Sequence, residues 1–96
     1  MKRNIAKAII QVDNSKVRIT KYLFQAGDET GIHKHKYDYI VLPITNGEII
    51  LIDKNGIKSK SALTTAESYF RKAGVEHNVI NNSDKKLIFV EVELKK

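Results

Sequence analysis

Short runs of branched and aromatic residues recur along the chain, and each is closed by a turn signal. The turns read at Asp13-Asn14-Ser15, Ala26-Gly27-Asp28, Asn46-Gly47, Lys54-Asn55-Gly56, Ala73-Gly74 and Asn81-Asn82-Ser83-Asp84. At these points Gly, Asn, Asp and Ser supply backbone conformations and local hydrogen bonds that a strand interior does not use. The runs between them predict strands over about residues 5–12, 16–25, 33–44, 48–53, 57–64, 68–72, 77–81 and 87–94. Short strands at this spacing point to an all-β sandwich or barrel. No stretch of helical length carries the helical period. Residues 63–70 come nearest, and Thr64, Thr65, Ser68 and Tyr69 count against a helix there.

Several positions sharpen this picture. Asn46-Gly47 reads as a tight hairpin of type I′, which needs positive φ at both central residues. Lys54-Asn55-Gly56 reads as a second hairpin. Pro43 has no N–H to give a ladder, so it belongs at a strand edge, a bulge or a strand end. In the last run Ile88, Val90, Val92 and Leu94 share one face, and Phe89, Glu91 and Glu93 share the other. The two glutamates are expected on the solvent side of an edge strand, with Glu91 lining a barrel as the alternative.

Length and composition narrow the class. The 96 residues predict one domain spanning 1–96. Hydrophobic residues make up 42% and charged residues 29%, as in a folded soluble protein. The absence of cysteine excludes disulfides, zinc–thiolate sites and thiol nucleophiles. The apolar run near the N-terminus is broken by Lys7, and no stretch is long enough to span a bilayer. A cytoplasmic location with no membrane partner is the expectation. The net charge of +6 is spread along the chain, and Arg occurs only at Arg3, Arg18 and Arg71. Diffuse lysine charge speaks to solubility, so no nucleic-acid partner is expected.

The candidate chemistry lies in three histidines, His33, His35 and His77. His33 and His35 sit two apart, which on a strand places both side chains on one face. Tyr37 and Tyr39 continue along that face, while Asp38 leaves on the other. His77 follows the turn at Gly74, and a closing barrel can carry it to the first pair. Neutral imidazole binds zinc, iron, nickel and copper, and three protein ligands leave positions open for water, dioxygen or substrate. Two histidines on a strand are also a common surface feature, so spacing alone leaves both readings open.

The surrounding residues resemble the two motifs of the cupin family. Gly27 is followed by five residues, His33-Lys34-His35, three more residues, Tyr39 and then Gly47. Further on, Ala66 stands at the first glycine of the second motif and Lys72 at its proline, with Gly74, His77 and Asn81 in register. The stretches HKHKYDYIVLPITNGE, ESYFRKAGVEHNVIN and FVEVELKK are similar to a subgroup of small cupins associated with β-alanine degradation. The resemblance implies a double-stranded β-helix, or jelly roll, and one divalent metal (Fe2+, Mn2+, Ni2+ or Zn2+) held by His33, His35 and His77. The family's glutamate ligand falls at Tyr39, so the resemblance implies a three-histidine site with Tyr39 beside it, either as a distant fourth group or as a catalytic hydrogen-bond donor to bound substrate. Asp38 and Glu91 are alternative groups to complete the shell. Asn81 is expected to hydrogen-bond within the barrel without touching the metal.

Three-histidine cupins resemble thiol dioxygenases, which makes a dioxygenase acting on a small organic molecule one expectation. Non-catalytic binding of a small acid or sugar is the other. A small barrel leaves sheet edges to cover, and a homodimer through Ile5, Ala8, Ile9 and Ile10 is expected.

Overall fold

A computed structural model describes residues 3–95. Nine strands run in chain order: β1 Lys7–Asp13, β2 Val17–Phe24, β3 His33–Lys34, β4 Asp38–Pro43, β5 Gly47–Asp53, β6 Lys58–Leu63, β7 Tyr69–Arg71, β8 Glu76–Asn81 and β9 Leu87–Leu94. They form a five-stranded sheet in the order β1-β2-β9-β4-β7 and a four-stranded sheet in the order β3-β8-β5-β6, with every strand pair antiparallel. The all-β jelly roll expected from sequence is the observed architecture. No helix lies among the described residues, and so none is long and apolar enough to cross a membrane.

The predicted run 33–44 is in fact two strands. The chain leaves the four-stranded sheet after Lys34 and joins the five-stranded sheet at Asp38. The bend at residues 35–37 is clipped by backbone bonds, His35 N to Val75 O at 2.8 Å and Gly74 N to His35 O at 2.8 Å. Asp38 secures the same turn, its Oδ1 accepting from Ala73 N at 2.8 Å. Tyr37 therefore leaves the histidine face and lines a surface cleft with Lys36, Ala73 and Leu94.

Asn46-Gly47 also departs from expectation. Neither residue has positive φ, and β4 and β5 lie in different sheets. The glycine serves packing instead: a Cβ there would lie 2.6 Å from Leu87 Cδ1. At Lys54-Asn55-Gly56 the hairpin between β5 and β6 does form. Gly56 takes φ 80°, and Asp53 Oδ1 accepts from the N–H groups of Asn55 and Ile57 at 2.8 and 2.9 Å. Pro43 ends β4, as a residue without N–H should.

The largest reversal concerns β9. Its burial alternates strictly, and the buried face is Leu87, Phe89, Glu91 and Glu93. The aliphatic face of Ile88, Val90, Val92 and Leu94 points outward and is half-buried. The barrel end near Leu87 is aromatic: Phe89 stacks at 5.4 Å from both Tyr22 and Phe24. Burial of such rings stabilises by about 1.5–3 kcal/mol each and anchors the two sheets on one core.

Ala66 is the one described non-glycine residue with positive φ, at 67°. A left-handed alanine costs about 1–2 kcal/mol, and a glycine there loses part of that gain to its greater freedom in the unfolded chain. Ala66→Gly is expected to stabilise the protein by about 0.5–1 kcal/mol, read as a higher urea midpoint. A lower midpoint would contradict the strain.

Candidate metal centre

The register of the four-stranded sheet builds the site. His33 on β3 is the direct antiparallel partner of His77 on β8, so the two imidazoles stand side by side on the inner face. His35 follows at the bend and is delivered by its clip to the turn at Gly74, where φ is 95°. The result brings all three sequence-predicted histidines together. Their Nε2 atoms lie 3.0 Å apart for His33 and His35 and 3.2 Å apart for His35 and His77. One ligand nitrogen from each lies within 4.8 Å of the others.

The protonation pattern follows from the neighbours. His33 Nδ1 is 2.9 Å from Gly31 O, and a carbonyl only accepts, so the proton sits on Nδ1 and Nε2 presents a lone pair. His35 Nε2 faces both other rings, and one nitrogen carries at most one proton. At most one of its two contacts is a well-aligned hydrogen bond, so the other brings two ring nitrogens together without one. A cation between them supplies that contact with a partner. Nitrogens about 2.1 Å from a common centre lie about 3.0 Å apart at right angles and about 3.4 Å apart at the tetrahedral angle. The donor set therefore fits a divalent ion that accepts imidazole.

Burial keeps two of the ligands, His35 and His77, neutral. His35 is 6% exposed. Burial and the neighbouring His33 lower its pKa to about 4, and burial with His33, His35 and Arg71 does the same for His77. Both offer lone pairs at neutral pH without competition from protons.

Tyr39 lies 1% exposed on β4, its ring stacked on that of His35 at 3.9 Å and 19°. Burial, reinforced by Glu91, Tyr69 and Tyr22, raises its hydroxyl above the ordinary phenol value, so the group keeps its proton. Its ring packs against the plane of the His35 imidazole and lines a narrow, partly open cavity of about 20 Å³ with Tyr69, His77 and Glu91. That space is about the size of one water.

Sequence reasoning left two contributors unassigned and expected a third chiefly on the solvent side. Thr30 holds the strand before the site, with its Oγ1 3.2 Å from His33 Nδ1 and accepting from Val79 N at 3.1 Å. Asn78 pins the same loop, Oδ1 accepting from Gly31 N at 2.9 Å and Nδ2 donating to Glu29 Oε1 at 2.8 Å. Neither carries a sequence signal, because a lone Thr or Asn beside a turn is commonplace. The third is the pair of acids on β9. Glu93 accepts both arms of Arg18, Nε at 2.8 Å and Nη2 at 3.1 Å. Glu91 is 5% exposed, and burial followed by the charge of Glu93 raises its pKa to about 8. Asn81 behaves as expected: 1% exposed, it donates to Lys85 O at 2.8 Å and Gln25 O at 3.2 Å.

His33 and His35 open on a cleft of about 320 Å³ between the N-terminal segment at Ile5 and Ala6 and the inner wall at Arg18, Glu91 and Glu93, while His77 lines the smaller cavity. Two facing antiparallel sheets with three histidines at the mouth define a cupin with a metal-ligating triad. The chain belongs to the cupin family: it is 48% identical over 86 residues, 90% of each chain, to the β-alanine degradation protein BauB of Pseudomonas aeruginosa. It is 47% identical to a cupin domain from Bordetella pertussis Tohama I whose crystal structure superposes with a TM-score of 0.96, covering 100% of this chain and 99% of that one. An RmlC-like cupin from Shewanella frigidimarina shares the fold at 20% identity, TM-score 0.69, over 95% of this chain and 77% of that one. No family model matches the chain.

The buried ionisable groups set a pH dependence for the metal-free protein. His35 and His77 unfold to an ordinary value of 6.5 from about 4, so the unfolded chain binds protons first and stability falls as pH drops between those values. Glu91 acts oppositely. Its folded carboxyl keeps a proton up to about pH 8 that the unfolded chain loses near 4.5, so stability falls as pH rises through that window. Glu91→Gln should therefore gain stability relative to the native chain between about pH 5 and pH 9, in unfolding midpoints at matched ionic strength. A difference independent of pH would contradict the buried, proton-holding carboxyl.

Proposed function

We propose that the protein holds one divalent metal ion on His33, His35 and His77 and acts on a small organic molecule that enters the cleft and meets the ion at its remaining positions. The observation that carries this reading is the convergence of three Nε2 atoms at 3.0 and 3.2 Å on the open side of the barrel. Bound there, iron, manganese, nickel or zinc supplies a Lewis acid, and iron in addition a redox centre for dioxygen. Dioxygenase chemistry is the finer form of the proposal.

The chain's own residues have separate tasks in it. Thr30 and the carbonyl of Gly31 hold His33 in its tautomer. Tyr39 keeps His35 in plane and offers a proton that it does not lose near neutral pH. Glu91 lines the cleft beside His33 and His35 and presents its carboxyl to whatever enters. The size of the cleft favours a small ligand. The name of the Pseudomonas aeruginosa relative supports a small acid or amino acid as that ligand.

One observation favours a non-catalytic variant, in which the protein binds its ligand without turnover. The family's carboxylate ligand is replaced by Tyr39, a buried and protonated phenol. Oxygen uptake by the ferrous protein with small acids and thiols separates the two, since only the enzyme consumes dioxygen.

Metal titration tests the reading shared by both. The chelator-stripped protein should take up about one equivalent of zinc or ferrous ion, and His77→Ala should weaken uptake about a hundredfold or more. Equal affinity in the variant would sink the three-histidine site.

A further inference from the structure

The interior of the cleft carries two acids of different standing. Glu93 is spoken for, because both its oxygens accept from Arg18. Glu91, two residues along the same face, is 5% exposed and makes no hydrogen bond or ion pair among the described residues. It borders the open cleft beside His33 and His35 and also the small cavity beside His77. No side-chain oxygen among the described residues is sealed from solvent without a partner, so the unpaired Glu91 carboxyl keeps contact with the cleft, while burial and its neighbour Glu93 oppose its charge. Nothing in the core requires it: Val41 and Thr20, its partners on the flanking strands, are small neutral residues.

The cations around Glu91 are engaged elsewhere. Arg71, which lines the small cavity with Glu91, donates from Nη1 to Phe70 O at 3.2 Å and lies 4.5 Å from the centre of the Tyr69 ring. Arg18 is committed to Glu93, and Lys34 stands exposed at the rim of the cleft. A ligand bringing its own positive charge would pair with the ionised Glu91 through a charge-assisted hydrogen bond.

We propose that Glu91 is the receptor for the ammonium group of a small amine-bearing ligand, so that the cleft takes short amino acids, ammonium end on Glu91 and carboxylate end toward the histidine-held metal. The second half rests on the metal reading above; the first does not. An acid lacking the amine leaves Glu91 unpaired and is disfavoured. The walls at Ile5 and Ala6 and the size of the cleft restrict the chain to a few carbons.

The test is calorimetry at about pH 9, where Glu91 has given up the proton that it holds to about pH 8 and aliphatic ammonium groups keep theirs, with 3-aminopropanoate, propanoate and propylammonium as probes, on the native chain and on Glu91→Gln, with zinc content measured in each sample. In the zinc-loaded protein 3-aminopropanoate should bind at least about tenfold more tightly than propanoate. Glu91→Gln should erase that preference while its zinc content stays at the native level. Propylammonium should bind the metal-free native chain and lose about tenfold or more in Glu91→Gln. Equal binding of 3-aminopropanoate and propanoate by the native chain would overturn the proposal, as would a preference that survives Glu91→Gln. Failure to take up zinc with propylammonium binding intact would defeat the metal reading and leave the ammonium receptor standing. The comparison of probes on the native chain needs no variant to fold.

Discussion

The antiparallel pairing of β3 with β8 is two residues long, and the rest of the site depends on it. It sets His33 against His77. The chain then crosses from one sheet to the other, and the crossing is held by His35 N on Val75 O and Gly74 N on His35 O. The turn that delivers His77 and the bend that delivers His35 are thus one hydrogen-bonded unit. Because β4 starts immediately after the bend, Tyr39 is placed under the His35 ring by the same constraint. A ligand set gathered from two sheets is held by backbone bonds, which tolerate little slippage: a one-residue shift would turn His33 away from the barrel.

The interior reverses the usual assignment of faces. The five-stranded sheet turns Glu91, Glu93, Thr20 and Arg18 inward and leaves Ile88, Val90 and Val92 half-covered outside. Phe24, Leu87 and Phe89 still form an apolar floor, so the barrel has a hydrophobic end that supplies stability and a polar end that supplies chemistry. Burial at that polar end opposes charge on both kinds of group, raising Glu91 above and lowering His77 below their ordinary values.

Much of this was legible in the sequence, and the lapses have physical causes. Strand positions, the hairpin at Gly56 and the histidine triad all follow from turn chemistry, period and the spacing of motifs. The break at residues 35–37 did not, because His35-Lys36-Tyr37 contains neither Gly nor Pro; the bend is imposed by bonds to residues far along the chain. Alternation in β9 was readable, but which face points inward was not. Period two fixes that faces differ, and hydrophobicity chooses the inner one only when the interior is purely a core. Gly47 was assigned to a turn because sequence cannot display Leu87 filling the space of its missing Cβ. Thr30 and Asn78 act through side-chain bonds to backbone that only the folded loop reveals.

The most direct measurement of the central claim is X-ray absorption on the zinc-loaded protein. Three imidazole nitrogens at about 2.0–2.1 Å, with the outer-shell scattering of histidine rings, are the expected result. A shell of oxygens alone, or the scattering of a single ring, would contradict a metal centre built from His33, His35 and His77.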